Sequence, residues 1–400
     1  MTEQTNTPKL RFPEFKNEWS YDLLGDVVTN KSKKFDPKKE EATKDIELDS
    51  IEQNTGRLLD TYISNDFTSQ KNKFKKDNVL YSKLRPYLNK YYYATIDGVC
   101  SSEIWVLNTL NKDVLVNKFL YYFIQTNRFS SVTNKSAGSK MPRADWELVK
   151  NIRLYKGSIK EQEKIGYFFS KLDRQIELEE KKLELLEHQK KGYMQKIFSQ
   201  ELRFKDEDGE LYPEWRQKKI GELAQIVRGA SPRPIKDPKW FDINSDIGWL
   251  RIADVTEQNG KINFLEQRLS KEGQSKTRVL KSTHLLLSIA ASVGKPVINF
   301  VKTGVHDGFL IFLNPQFNIY YMYNWLDFFK KVWNKYGQPG SQVNLNSDIV
   351  KSQEIRIPHI NEQNKIVDFL ESIDKLVIKQ SNKVELLKQR KKGLLQKMFV

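Results

Sequence analysis

A single cysteine, Cys100, stands in a chain of 400 residues. One thiol excludes a disulfide framework and any zinc site built from several cysteines. The four histidines, His188, His284, His306 and His359, are far apart in sequence, so no metal-ligating run is present and no metal site is expected. No run of about 18 apolar residues occurs, which argues against a membrane-spanning helix. Met1 to Pro8 is polar and has no hydrophobic core of a secretory signal. A cytoplasmic protein without structural metal is the expectation.

Catalytic motifs are lacking too. Asn314-Pro315-Gln316-Phe317 is close to the Asn-Pro-Pro-aromatic motif of adenine methyltransferases. Its third residue is Gln, and no glycine-rich cofactor loop after a strand accompanies it, so it reads as a turn. Gly294-Lys295 looks like the end of a phosphate loop, but Ile289 stands where the first glycine belongs and Pro296 replaces the Ser or Thr that would hold Mg²⁺. Glu179-Glu180-Lys181 supplies a Glu-x-Lys, but on a long helix with no acidic partner nearby in sequence. No Ser-His-Asp or paired-carboxylate constellation stands out. No catalytic residue is assigned, and the chain is expected to do no chemistry itself.

What the chain has in surplus is positive charge, +16 in all. That favours a polyanionic partner, nucleic acid before anionic membrane. With 38% apolar and 12% aromatic residues the chain is globular, and its length allows two or three domains with real cores.

It is also duplicated. Glu161 to Phe198 aligns without a gap on Glu362 to Phe399, with about 16 of roughly 38 positions identical. The shared residues include Asp173 with Asp374 and Lys190-Lys191-Gly192 with Lys391-Lys392-Gly393. Each half opens on a related segment: Leu10-Arg11-Phe12 with Trp19 and Leu24-Gly25, then Leu202-Arg203-Phe204 with Trp215 and Ile220-Gly221. Each closes alike, through Ile152-Arg153-Leu154 and Ile355-Arg356-Ile357. The middles differ. They mix brief apolar runs of buried-strand length (77–81, 283–289) with aromatic-rich helices (114–126, 319–335).

The repeated segment is a heptad seam. It runs Ile165, Phe169, Leu172, Ile176, Glu179, Leu183, Leu186, Lys190, Tyr193, Ile197. Its copy runs Ile366, Leu370, Ile373, Val377, Gln380, Val384, Leu387, Lys391, Leu394, Met398. The polar interruptions fall at equivalent positions, as expected if they set register and partner. The plainer alternative is two core helices packed on separate domains. The expected fold class is mixed α/β: two globular domains joined by two long helices that can pair antiparallel as a coiled coil, with pseudo-two-fold internal repeat. The boundaries are a tail (1–9), a first domain (10–158), a first helix (159–199), a second domain (200–360) and a second helix (361–400). About 36 helical residues measure roughly 54 Å, on the order of 16 base pairs of B-DNA.

This layout resembles the specificity (S) subunits of type I restriction–modification systems. The resemblance runs from about Leu10 to Val400. It rests on the Leu-Arg-Phe-Pro-x-Phe opening with its Trp, the Glu-Gln-x-Lys-Ile helix start and the repeat. Val79 to Leu88 and Leu285 to Val297 also look like the family's. The resemblance implies that the middles are target-recognition domains, each reading half of a bipartite asymmetric double-stranded DNA site. It implies that the helices form the spacer that docks two modification (methyltransferase) subunits, with restriction/translocase subunits in the same complex. No cofactor is expected in this chain; S-adenosylmethionine, ATP and Mg belong to the partner subunits.

Candidates for DNA contact follow from charge, aromatics and loops. In the first middle they are Lys83, Arg85 and Lys90, for which the resemblance adds to the charge argument, and Tyr91; Lys71 to Lys76 are balanced between DNA and solvent. One or more of Tyr91-Tyr92-Tyr93 must face the core if they form a strand. The exit loops contribute Ser139, Lys140 and Arg143 in one half and Gln342 and Asn344 in the other. Arg143, Gln342 and Asn344 are base-reading candidates, since Arg pairs with guanine and Asn or Gln with adenine. The competing reading is a turn leading into the closing strand. Arg228, Ser231, Arg233, Arg251, Ser292 and Lys295 complete the set, with Ser288 and Ser292 also suited to satisfying backbone groups in turns. The competing functions are a stand-alone duplicated DNA-binding regulator, a self-sufficient methyltransferase and a coiled-coil structural protein.

Overall fold

The computed structural model describes residues 6–36, 39–63, 70–136, 141–290, 293–333 and 345–400. It divides into two units. The first comprises Met1–Lys181 with Ser381–Val400, and the second Lys182–Gln380. The division cuts both long helices, Ile159–Phe198 and Ile360–Met398. Each unit therefore holds one of the two differing middles, the start of one long helix and the end of the other.

In the first unit, strands Val28–Thr29, Ile104–Thr109, Val79–Ser82 and Tyr91–Tyr93 form one sheet in that order. Helices Asn117–Phe123 and Asn127–Thr133 cover one face of it. Side chains alternate along a strand, so Val79 and Tyr81 join the helices while Leu80 joins Ile46, Phe74 and Tyr92 on the other face. That second face is closed by a five-stranded sheet that includes Lys71–Phe74 and Gly98–Ser101. Burial on both faces explains why Val79 to Ser82 reads as a continuous buried run.

The second unit repeats the plan. Leu285–Ser288 lies between Phe309–Leu313 and Pro296–Asn299. Leu285 and Leu287 pack with the helix Ile319–Trp333, and Leu286 packs with Leu250, Val255 and Ile262 on the opposite face. The mixed α/β architecture is the one expected.

The matching ends of each half meet. Ser20–Leu23 pairs antiparallel with Arg153–Lys156, and Arg216–Lys219 with Glu354–Ile357. The chain then turns at Gly25 and Gly221, where a Cβ would stand 2.8 Å from the Lys150 Cβ and 3.0 Å from the Lys351 Cβ. A side chain at Gly25 would force the Lys150 backbone to shift, and one at Gly221 would crowd Lys351.

The repeated motifs form a clasp. Arg11 donates from Nε and Nη2 to Glu161 at 2.6 and 2.8 Å, and the Trp19 indole donates to the same carboxylate at 3.1 Å. In the second unit Arg203 donates to Glu362 at 2.8 and 3.0 Å, and Trp215 at 3.0 Å. Glu161 and Glu362 are fully buried, so a charge that costs several kcal/mol to desolvate is offset by a bidentate partner plus a neutral donor. The next residue, Gln162, accepts from Val116 N and donates to Val114 O and Gly157 O. Gln363 accepts from Asn318 N and donates to Pro358 O. The Glu-Gln pair thus fixes each long helix to the domain that precedes it.

Within each unit the two long helices run antiparallel. In the first, Asp173 meets Lys391 at 2.6 Å and Glu180 meets Lys388 at 2.7 Å. Farther toward the domain, Phe399 packs 4.9 Å from the Phe119 ring. In the second, Lys190 meets Asp374 at 2.6 Å and Tyr193 packs edge-on against Phe369. The shared Asp and Lys are the two halves of one reciprocal ion pair. The end of the second helix also receives the N-terminal segment. Leu10 N donates to Lys397 O at 2.9 Å, as Leu202 N donates to Lys196 O at 2.9 Å.

The seam positions Ile165, Phe169, Leu172, Ile176, Ile366, Leu370, Ile373 and Val384 are buried, and Leu183, Leu186, Val377 and Leu387 are half-buried. One position is corrected. Tyr193 is 37% exposed and Met194 is buried instead. A straight α-helix drifts about 20° per heptad, so after four heptads the next residue lies nearer the seam. In the second helix Leu395 is buried and Leu394 only half-buried, for the same reason. No helix among the described residues is long and apolar enough to cross a membrane.

Candidate nucleic-acid interface

In the first domain the strand Val79–Ser82 ends in a tight turn. The Ser82 hydroxyl donates to Leu84 O at 2.8 Å. Lys83 N donates to Glu103 O, Ala144 N to Lys83 O, and Arg85 N to Pro142 O. Leu84 and Arg143 form a β-bridge. Two segments about 60 residues apart in sequence thereby share one surface carrying Lys83, Arg85 and Arg143. Arg85 is exposed in the left-handed region, φ 50°, and Asn89 at φ 47° closes the 3₁₀ turn Pro86–Leu88. Tyr87 stands 55% exposed at its tip.

An acid sits at the centre of this surface. Arg143 donates to Glu103 from Nε at 3.0 Å and from Nη2 at 3.2 Å, and Lys83 Nζ lies 4.0 Å from the same carboxylate. The hydrogen bonds to Glu103 raise the Arg143 pKa further above its ordinary value.

Other first-domain candidates lie elsewhere. Tyr91 is buried in the core and donates its hydroxyl to Asn54 O at 3.0 Å, so its ring has no face for a base. Tyr92 is buried on the opposite face of the sheet, and Tyr93 is half-buried with its hydroxyl on Asp77. Lys90 extends to Leu48 O at 2.5 Å, which occupies its ammonium in tying two loops. Lys71 is neither solvated nor on an outer face. Its side chain is 4% exposed, with Asp45 at 2.9 Å and Glu47 as partners. Lys73 pairs with Glu40, and Lys75 and Lys76 are exposed. Ser139 and Lys140 lie outside the described residues.

In the second domain the turn after Leu285–Ser288 is the same device. Ser288 Oγ donates to Ala290 O at 3.0 Å, which is the backbone role expected for it. Beside it the loop after Gln225–Arg228 and the turn before Phe309–Leu313 converge on Asp307. Ser231 Oγ donates to Asp307 Oδ1 at 2.9 Å and accepts from Asp307 N at 3.1 Å. Arg233 donates to Oδ2 at 2.7 Å, and Arg228 Nε donates to the Asp307 carbonyl at 2.6 Å. Arg278 in turn donates to Arg228 O at 2.8 Å. Burial pushes the Asp307 carboxyl up, but the Ser231 hydroxyl, the His306 ring (protonated at the acid pH where a carboxyl titrates) and the Arg233 and Arg228 charges together outweigh burial and hold its pKa below the usual range. His306 Nδ1 accepts from Gly308 N at 2.8 Å. Burial lowers the His306 pKa, so the ring is neutral near pH 7 and its 3.0 Å approach to Asp307 is no ion pair.

Arg228, Ser231 and Arg233 thus come together, with Arg228 and Arg233 exposed and Ser231 half-buried. Arg251 instead pairs with Asp254 at the start of a short helix. The Lys295 ammonium is partly buried, and burial with the nearby Lys330 charge lowers its pKa. Ser292, Gln342 and Asn344 lie outside the described residues.

Glu103, Asp307 and Tyr87 escape a reading that looks for basic residues, and Arg278 is a basic residue that the reading did not single out. The acids had a signal: each stands just before an apolar strand in a chain rich in positive charge, Glu103-Ile104-Trp105 and Asp307-Gly308-Phe309. Among the described residues no group of His, Cys, Asp and Glu could hold a metal ion. Asn314 lies in a turn at φ 49°, and Gly294, at φ 76°, lies in the turn between Leu285–Ser288 and Pro296–Asn299. Neither near-motif has the setting its chemistry needs.

Residues 16–188 and again 212–388 match the profile of the type I restriction modification DNA specificity domain. The chain is 25% identical over 312 residues to the MjaVIII specificity subunit, a type I restriction enzyme subunit of Methanocaldococcus jannaschii, covering 74% of this chain and 72% of that protein. It is 27% identical over 207 residues to the EcoDI specificity subunit of Escherichia coli, covering 51% and 45%. Among solved structures, a chain from work on complex assembly and conformational transition of the type I R-M system aligns at TM-score 0.66 and 16% identity, over 96% of this chain and 98% of that one. The type I S subunit from M. genitalium aligns at TM-score 0.54 and 14% identity, over 98% and 99%. These structural likenesses speak for the fold.

Proposed function

Because the chain belongs to the family of type I restriction–modification DNA specificity domains, we propose that it is the sequence-reading subunit of such a system. Each domain reads one half of a bipartite, asymmetric double-stranded site. The observation that carries this reading is the paired surface: one frame, built twice, presents Lys83, Arg85 and Arg143 in one domain and Arg228, Ser231 and Arg233 in the other. Arginine reads guanine edges and lysine neutralises phosphates. The two surfaces differ in residues and so read different half-sites.

The chain contributes binding and no bond-making. Methyl transfer with S-adenosylmethionine and ATP-dependent cleavage belong to modification and restriction subunits docked on it, in the cytoplasm. The +16 charge supports the DNA partner, and the absence of nucleophile and cofactor motifs from the sequence supports the non-catalytic assignment.

The test is exchange of the first middle, about residues 14–150, for that of a relative, followed by methylome sequencing of cells carrying the chimera with the modification subunits. One half of the methylated motif should change and the other stay. A change in both halves, or an unchanged motif, refutes the two-reader assignment.

A further inference from the structure

The acids at the centre of two basic surfaces call for an account of their own. A carboxylate beside a phosphate lowers affinity, and within a Debye length of about 8–10 Å that repulsion is felt. Glu103 and Asp307 therefore weaken the general attraction of the two surfaces for DNA. What they supply is orientation.

The two acids occupy neighbouring places in the repeated frame. Ser82 N donates to Lys90 O as Ser288 N donates to Lys295 O. Ser82 Oγ and Ser288 Oγ each cap the carbonyl two residues on. The next amide on each strand, Lys83 N and Ile289 N, donates to Glu103 O and Gly308 O. Glu103 and Asp307 thus lie one residue apart in the frame, in the turn before the same strand. Each holds an arginine that comes from a different part of the chain. Arg143 comes from the exit loop, 40 residues after Glu103, and Arg233 from the opening loop, 74 residues before Asp307.

The geometry of each hold is directional. Glu103 takes the Nε and Nη2 edge of Arg143, which fixes the plane of the guanidinium and turns its Nη1 end away from the acid. Asp307 is itself fixed by a reciprocal pair with Ser231, then holds Arg233 by Oδ2 and Arg228 through its carbonyl. An arginine that swings freely meets any phosphate. One held by its edge meets a base edge in a single orientation.

We propose that Glu103 and Asp307 are the specificity-determining positioning residues of the first and second domains. Each carboxylate presents an arginine to bases and opposes its use as a phosphate clamp. The inference rests on the proposed two-reader function and assigns a residue within each reader.

The experiment uses the assembled modification complex carrying Asp307→Asn or Glu103→Gln. Its probes are duplexes with the motif found by methylome sequencing and duplexes changed at single positions in one half. Asp307→Asn should bind mismatched DNA more tightly, with a salt slope steeper by up to about one ion. It should bind the true motif more weakly. The ratio between them should fall on the order of tenfold, and only for changes in the half read by the second domain. Glu103→Gln should do the same for the other half. Ser231→Ala loosens Asp307 without removing charge, so it should relax discrimination less and leave the salt slope unchanged. Its thermal midpoint, with that of Asp307→Asn, reports folding.

Discrimination that survives both charge-removing variants overturns the proposal. So does an equal loss of affinity for every duplex, which marks a structural role alone. A wild-type complex that shows no bipartite motif would refute the proposed function, and that outcome is visible before any variant is made.

Discussion

The two units are alike where they hold themselves together and unlike where they face outward. In both, an arginine and a tryptophan close on a buried glutamate, the next glutamine pins the domain to its helix, and an aspartate meets a lysine of the other helix. On the proposed reading surfaces, one has Glu103 with Arg143 and Lys83, and the other has Asp307 with Ser231, Arg233 and Arg228. Buried polar networks tolerate little change, because leaving one member unpaired costs its full desolvation. Exposed loops carry no such penalty. A duplicated chain can therefore hold one frame and vary its readers.

The frame side of this comparison is broken most severely at the clasp. Glu161→Ala leaves Arg11 and Trp19 without their acceptor and should cost the first unit about 3 kcal/mol or more. Glu362→Ala should do likewise to the second. Hydrogen exchange should show protection lost in the unit that carries the change and kept in the other. Loss spread equally over both would mean that the clasps do not act unit by unit.

A lysine pair sharpens the contrast between frame and reader. Lys71→Met strands the buried Asp45 carboxylate, whose Oδ1 already has no hydrogen-bond partner among the described residues. It should cost about 3 kcal/mol in denaturant titration, with the salt slope of DNA binding unchanged. Lys83→Ala should leave stability within about 0.5 kcal/mol and lower that slope by about 0.9. The opposite pattern would exchange their roles.

The reciprocal ion pairs come next. A double-mutant cycle on Asp173→Asn and Lys391→Met should give a coupling of about 1 kcal/mol, and Asp374→Asn with Lys190→Met a similar value. A coupling near zero at both would leave the apolar seam as the whole of the pairing energy.

The smallest effect is a pH dependence confined to the second unit. His306 has a folded pKa below its ordinary 6.5, so the unfolded chain binds a proton that the folded chain resists. Its contribution is present above about pH 6.5 and is lost as pH falls through the lowered value. His306→Gln should flatten the fall in stability on acidification in that window, read by thermal midpoints between pH 5 and 7.

Much of the frame was legible beforehand. The duplication, the two long helices, the short buried strands at Val79 and Leu285 and the aromatic helices all follow from local pattern. The reading surfaces were only half legible. Lys83, Arg85 and Arg143 were found by residue type, but that they share one surface depends on the bridge between Leu84 and Arg143. A basic-aromatic run looks the same in sequence whether its rings point out or, like Tyr91, are buried in the core, and whether its ammonium is unengaged or, like that of Lys90, bonded to a loop carbonyl. Lys71 shows the same limit: charge in a sequence does not tell whether two acids, Asp45 and Glu47, wait beside it.

By itself the sequence determined that this chain is built twice, that its halves share ends and differ in their middles, and that its charge suits a polyanion. Periodicity and composition are local sums, and neighbours along the chain suffice to compute them. Only the tertiary structure decided what the repeated motifs hold. Arg11 finds Glu161 across 150 residues, and Arg233 finds Asp307 across 74. Such pairings depend on where strands and helices bring the backbone, which no stretch of neighbouring residues records.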